Sequence, residues 1–297
     1  MDPHPRGIPE HLARCEHSLV MGVVNVTPDS FSDGGRHLAP DAAVAHGRSL
    51  LAEGAHLLDI GGESTRPGAQ RVDPTEEIDR IRPVIRELAA DGAVISVDTM
   101  RAETARAAVD AGAGIVNDVS GGLADPDMAA TVAALRGPHG PVPYIAMHWR
   151  GHSDVMDDLA CYDDVVTEVT RELGARVDAL LTAGLDPARI VLDPGLGFAK
   201  TADQNWELLT GLDTLASLGR PLLVAGSRKR FLAELGGDRD HATAALAAHS
   251  AEHGAWAVRV HDVPGALAAV RVGGRLRSAH LARARRGTRP PRQERIT

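Results

Sequence analysis

The chain has 297 residues, enough for one large α/β domain or two smaller ones, and its 43% hydrophobic and 24% charged residues exclude collagen-like, fibrous and globally disordered architectures. No apolar run reaches the roughly 18–20 residues that a membrane helix needs, the N-terminus carries no apolar signal segment, and Cys15 and Cys161 form neither a ligand pattern nor a disulfide framework, so the expectation is a cytoplasmic chain. The net charge of −8 is unevenly spread: residues 275–297 hold eight Arg and one Glu, which leaves −15 on the rest. An acidic body is a poor surface for nucleic acid, and the Arg-rich tail is read as a solvated, disordered extension, with RNA or membrane contact as the alternative.

Short apolar, β-rich runs alternate along the chain with helix-patterned stretches. The runs are Leu19–Val26, His56–Ile60, Val94–Val97, Gly114–Val116, Tyr144–Met147, Ile190–Leu192, Leu222–Ala225 and Trp256–Val260. Their continuous apolar character suits strands covered on both faces, as in a parallel sheet. Helices are predicted over Asp41–Glu53, Pro74–Ala90, Arg101–Ala111, Asp163–Ala183, Asp203–Leu218 and His241–His253, with Gly54, Gly92, Gly112, Gly184, Gly219 and Gly254 at C′ positions and Pro83 expected to kink or shift its helix. Eight strand-then-helix units with right-handed crossovers over about 250 residues predict an α/β fold, a single (β/α)8 TIM barrel. Its expected limits are residues 16–274, with residues 1–15 as an N-terminal extension and 275–297 as the tail; a doubly wound open sheet is the alternative.

In such a barrel, chemistry sits at the C-terminal ends of the strands. Polar residues close nearly every run here: Asn25, Asp59, Asp98, Asn117–Asp118, His148, Asp193, Ser227–Arg228–Lys229 and Arg259–His261. Any one of them alone is ordinarily a satisfied structural group, whereas eight on one rim point to a site. Lysine usage is a second signal, because the chain has two lysines, Lys200 and Lys229, against thirty arginines. A lysine kept against that bias suits a pocket too narrow for a guanidinium. The glycine-bearing loops TPDSFSDGG and GGESTRPGA match neither a P-loop nor a dinucleotide fingerprint. They read equally as plain connections or as substrate-closing loops, and Arg66 favours the latter.

The segments MGVVNVTPDSFSDGG (21–35) and DIGGESTRPGA (59–69) resemble the two signatures of the dihydropteroate synthase family, the targets of sulfonamides. SVDT (96–99), NDVSGG (117–122), MHWRG (147–151), DPGLGFAKT (193–201), SRKRF (227–231) and RVHDV (259–263) resemble its remaining motifs in order, and the wording is similar to actinobacterial members. The resemblance covers nearly all of the predicted barrel. It implies condensation of 6-hydroxymethyl-7,8-dihydropterin diphosphate with 4-aminobenzoate to 7,8-dihydropteroate and diphosphate, by diphosphate loss to a pterin cation and attack of the amine.

By matching positions, the resemblance implies a pterin pocket of Asp98, Asn117, Asp193, Lys229, Met147 and Phe198. It implies diphosphate binding by Asn25, Arg66, Arg259 and His261, with Asn25 on Mg²⁺, and a 4-aminobenzoate site of Thr65, Pro67, Phe31, Ser227 and Arg228. Asp98, Lys229, Asp29 and Arg66 are the implied catalytic residues, and the small-molecule substrates are joined by a second copy in a homodimer. Arg230 departs from members that carry a small residue there. The competing readings are a methyltetrahydrofolate-binding methyltransferase, which lacks both loop signatures, a silent pterin-binding paralogue, and a tail-driven RNA-binding protein.

Overall fold

The computed structural model describes residues 4–27, 38–64, 71–152 and 154–287, with the side chains of 38, 39, 286 and 287 left aside. Asp29, Phe31, Thr65, Arg66 and Pro67 lie outside the described residues. Eight parallel strands carry the fold: β1 (Leu19–Asn25), β2 (Leu57–Gly61), β3 (Ile95–Asp98), β4 (Ile115–Asp118), β5 (Tyr144–Met147), β6 (Ile190–Asp193), β7 (Leu223–Val224) and β8 (Ala257–Val260). Their order runs β6-β5-β4-β3-β2-β1-β8-β7. A parallel bridge between Leu192 and Leu222, with Leu192 N–H donating to Pro221 O at 2.9 Å, brings β7 back to β6 and closes the barrel. The predicted (β/α)8 barrel is the observed one, and closure replaces the open-sheet alternative.

Alternation along each strand explains how the barrel carries a polar site on an apolar base. Leu19, Met21, Leu57, Val94, Ile115, Ile145, Val191, Leu223 and Ala257 pack in one cluster at the lower end of the barrel interior. Two residues further along β2, β4, β6 and β8, on the same inward parity, stand Asp59, Asn117, Asp193 and Arg259. The other parity faces the helices in a second, larger core. That core packs β1–β8 against α1 (Leu38–Ala52), α2 (Pro74–Ala90), α3 (Ala102–Ala111), α4 (Met128–Ala134), α5 (Val165–Thr182), α6 (Ala202–Thr210), α7 (Arg239–Glu252) and α8 (Val263–Gly287).

Helix starts follow the expected signals. Asp73 accepts from Thr75 N–H with Pro74 at the first helical position of α2, and Thr201 and Gln204 form a capping box on α6. The predicted C′ glycines all have positive φ, from 67° at Gly219 to 120° at Gly112. Helix α2 runs unbroken through Pro83. The stretch predicted as one helix over 203–218 divides at Gly211 into α6 and a short helix, Leu212–Ala216.

Two boundaries differ from the sequence-based ones. Residues 4–15, expected as part of an N-terminal extension, belong to the barrel: Ile8, Leu12 (3% exposed) and Cys15 pack against the apolar base and seal the lower end, one helical turn spanning Glu10–Ala13. At the other end, α8 continues past 274 to Gly287, so the first half of the Arg-rich segment is helix rather than disordered tail. Alanine, leucine and arginine are strong helix formers, and their propensity outweighs the charge that suggested disorder.

Candidate active site

The inward residues at the barrel mouth form a charged floor. Asp59, fully buried in β2, accepts through Oδ2 from Arg259 Nε (2.6 Å) and Asn117 Nδ2 (3.0 Å). Arg259 also donates from Nη2 to Asp98 Oδ2 at 2.9 Å. Gly61, opposite Asp98 in register, leaves room for it, since a Cβ at Gly61 would stand 3.3 Å from the Asp98 Cβ. Asp59 Oδ1 is buried and has no hydrogen-bond partner. A buried carboxylate oxygen left in this state costs about 1–3 kcal/mol, and a further donor brought to it would recover that cost.

The other floor groups are perturbed in the same sense. Burial pushes the Asp98 carboxyl up to about 7, against the opposing pull of Arg259 and with the neighbouring Asp59 adding to the rise. Burial raises Asp193 to about 6, although Gly195 N–H donates to its Oδ1 at 2.8 Å. Lys229 is lowered to about 8 by burial and by the Arg259 charge. Its ammonium lies 4.0 Å from the centre of the Phe198 ring. Gly197, at φ 74°, allows this approach, because a Cβ there would meet Lys229 Cδ at 2.9 Å. Three carboxyl groups, Asp59, Asp98 and Asp193, thus converge on the floor with two basic groups, Lys229 and Arg259.

Behind one wall runs a partly buried ionic chain that follows β5. Met147 points inward and packs near Gly195, while His148 points outward and its Nε2 meets Glu172 Oε2 on α5 at 2.9 Å. Arg150 binds both oxygens of Glu172 (3.1 and 2.7 Å) and stacks 3.8 Å over the Tyr162 ring. The same alternation separates Asn117 from Asp118: the first faces the floor, and the second faces away to accept from Ser120, Gly122 and Tyr144.

The rim joins residues expected in separate roles. Ser227 Oγ lies 2.9 Å from His261 Nδ1 and accepts from the His261 N–H at 3.2 Å. Burial and the Arg259 charge hold His261 down at about 4, so its ring is neutral. Arg228, at φ 57°, lines the larger cavity and is held there by a two-pronged pair with Asp240 (2.7 Å each). Two cavities flank the floor, one of about 520 Å³ lined by Lys229, Arg230 and Thr201 and one of about 260 Å³ lined by Glu63, Ser64 and Trp149. Phe198 is the partition that both share.

For a metal, Asn25 offers one hard amide oxygen at the C-terminal end of β1, half-buried, which fits Mg²⁺ held by few protein groups and substrate phosphates. Among the described residues, one trio brings three ligating side chains together, Cys15, His17 and His56, at the opposite end of the barrel. His56 Nδ1 there accepts the Val20 N–H at 2.9 Å, which spends that lone pair on the barrel's lower edge.

Asp59 is the residue whose role the sequence reading left unassigned. Its parity with Leu57, two residues earlier in an inward apolar run, was the available signal.

Closed α/β barrels with a buried, donor-seeking carboxylate floor are suited to hold flat, donor-rich heterocycles, and comparison with known proteins agrees. Residues 21–261 match the model of the family described as "Pterin binding enzyme". The chain belongs to this family, and within it to the dihydropteroate synthases. The dihydropteroate synthase of Mycobacterium leprae (strain TN) is 53% identical over 266 residues, covering 86% of this chain and 92% of that protein. The structure of the Xanthomonas albilineans dihydropteroate synthase with 4-aminobenzoic acid superposes with a TM-score of 0.77 at 44% identity, over 92% of this chain and 94% of that one. The same enzyme in complex with 7,8-dihydropteroate gives a TM-score of 0.76 at 44% identity, over 86% and 92%.

Proposed function

We propose the following division of labour for the reaction this chain catalyses, the condensation of 6-hydroxymethyl-7,8-dihydropterin diphosphate with 4-aminobenzoate to 7,8-dihydropteroate and diphosphate. The dihydropterin ring lies on the floor. Asp193 accepts its adjacent amino and ring N–H donors, Asn117 offers an amide, Lys229 faces the carbonyl side, and Met147 and Phe198 cover the ring. The unpartnered Asp59 Oδ1 carries this reading, since it calls for a donor that a dihydropterin supplies and the protein does not.

In the chemical step the bond from the pterin methylene carbon to the diphosphate oxygen breaks, and the amine nitrogen bonds to that carbon and loses a proton. Positive charge develops on the pterin above the floor carboxyls, and Asp98 in its ionised form, beside Arg259, stabilises it electrostatically. Arg259 on the floor and His261 at the rim receive the departing diphosphate, with Arg66 from the second loop. Mg²⁺, held by Asn25 and phosphate oxygens with help from Asp29, would neutralise charge on that leaving group. Ser227 and Arg228, with Thr65, Pro67 and Phe31 from the loops, form the 4-aminobenzoate site. No covalent enzyme nucleophile enters.

The chain acts in the cytoplasm, on small molecules rather than nucleic acid, as a homodimer. No helix among the described residues is long and apolar enough to cross a membrane, and Val272 and Leu276, one turn apart on α8, are 56% and 44% exposed, an apolar face suited to a second copy.

Asn25→Ala tests the allocation. It is expected to weaken Mg²⁺–diphosphate binding about tenfold or more while moving affinity for 6-hydroxymethylpterin less than twofold, as loss of one hard ligand would. Equal losses of both would contradict the separate diphosphate role.

A further inference from the structure

Lys200 is the second of the two lysines, and the reaction as described does not use it. It lies next to the end of the loop 194–201 between β6 and α6 and is 8% exposed. All three of its ammonium protons are spent: on His148 Nδ1 (3.0 Å), on Gly195 O (3.1 Å) and on Phe198 O (3.1 Å). The far nitrogen of His148 is bonded to Glu172, and burial together with the Lys200 charge holds the imidazole neutral, its pKa lowered to about 4. The tautomer is thereby fixed, with Nε2–H toward Glu172 and the Nδ1 lone pair toward Lys200. A continuous chain, Lys200⁺ to His148 to Glu172⁻ to Arg150⁺, ties the β6–α6 loop to the end of β5 and to α5.

The loop needs such a tether. Ala199 sits at φ 48°, a left-handed conformation that costs a non-glycine residue about 1–2 kcal/mol, just after turns made by Gly195 (φ 70°) and Gly197 (φ 74°). What the strain provides is the placement of Phe198. Lys200 grips the Phe198 carbonyl, while the Phe198 ring lies against the Lys229 ammonium and divides the two cavities.

We propose that Lys200 is a positioning residue for the pterin site, pinning the β6–α6 loop to β5 so that Phe198 holds Lys229 in place. This rests on the pterin-pocket reading above. A lysine rather than an arginine fits because three acceptors converge on one point, where a planar guanidinium cannot aim all its donors.

A double-mutant cycle read by calorimetric titration of 6-hydroxymethylpterin monophosphate tests it, with thermal melts confirming that each variant is folded. Lys200→Met and Phe198→Ala are each expected to raise Kd about ten- to thirty-fold, the range of a desolvated cation–π contact. The double variant is expected to bind within about twofold of Phe198→Ala alone, because the lysine acts through the ring. Lys200→Arg is expected to remain weakened, and it replaces Lys200→Met in the cycle if the latter does not fold. Wild-type affinity in Lys200→Met, additive penalties in the double variant, or full restoration by arginine would overturn the proposal. Wild-type affinity in Phe198→Ala would instead remove the pocket reading and the proposal with it, so the two failures are distinguishable.

Discussion

Replacing Asp59 by asparagine preserves the shape of the floor and removes its central charge. In the present arrangement Oδ2 takes two donors, Arg259 at 2.6 Å and Asn117 at 3.0 Å, and Oδ1 is left for the ligand. An asparagine can leave an oxygen on one side only. If that oxygen keeps Arg259 and Asn117, the NH₂ group faces the incoming pterin donor, and a charge-assisted bond becomes a donor–donor conflict. Loss of a hydrogen bond to a charged group costs about 1.5–3 kcal/mol, which corresponds to about a 10- to 150-fold rise in the Kd of 6-hydroxymethylpterin. Stability changes less, because Arg259 keeps Asp98 as a second anchor at 2.9 Å, so the cost is about 1–2 kcal/mol, well short of the 3–5 for a fully orphaned buried charge. At about 2–4 °C per kcal/mol for a domain of this size, Tm falls by about 2–8 °C. Calorimetric titration and a thermal melt measure the two effects separately. Pterin affinity within twofold of wild type would refute the argument, whatever the melt shows.

Lys229→Met should lower kcat by about 100-fold or more, as loss of a charged contact to the reacting ring would, while Tm stays level or rises. The rise follows from burial, which already disfavours the ammonium and holds its pKa down at about 8; a clear loss of Tm would show that the lysine is structural. His148, lowered to about 4 chiefly by burial, is neutral when folded, whereas the unfolded residue titrates near 6.5. The unfolded chain therefore binds the extra proton between these values, and the stability His148 contributes is complete above about 6.5 and lost as pH falls toward 4. Asp98 and Asp193, both raised, pull the absolute curve the other way, so the comparison with His148→Gln isolates the effect. In urea titrations at several pH values, wild type should lose up to about 3 kcal/mol relative to His148→Gln between pH 7 and 4; a constant difference would refute the neutral buried imidazole.

The parts of the fold legible in the sequence are those that local patterning dictates. Strand β5 occupies the predicted Tyr144–Met147 and α2 the predicted Pro74–Ala90, because apolar runs and an Asp-Pro start act over neighbouring residues. Helix α4 carried no such signal: it is seven residues long, buries only Met128, Thr131 and Val132, and the Arg136–Pro141 hairpin that follows holds only two residues in each strand. The lower seal was illegible for another reason, since Leu12 gains its meaning from Trp256 and Ala257, which share its cluster from the far end of the chain. The site divides in the same way. Asp98, Asn117, Asp193 and Lys229 close apolar runs and were visible as strand-end polar groups, and the structure gathers them on one floor. The partners that give them chemistry were not visible, because Arg259 reaches Asp59 across 200 positions and Lys200 reaches His148 across 52. Parity supplies what spacing alone does not: counting twos from Leu57, Ile115, Val191 and Ala257 leads to Asp59, Asn117, Asp193 and Arg259.

The central claim is met most directly by measuring 7,8-dihydropteroate formation and diphosphate release together, with purified protein, dihydropterin diphosphate, 4-aminobenzoate and Mg²⁺, omitting each in turn. The account predicts equimolar dihydropteroate and diphosphate, with dihydropteroate requiring both substrates and lost when Mg²⁺ is chelated. Pterin binding without dihydropteroate, with every component present, would contradict it.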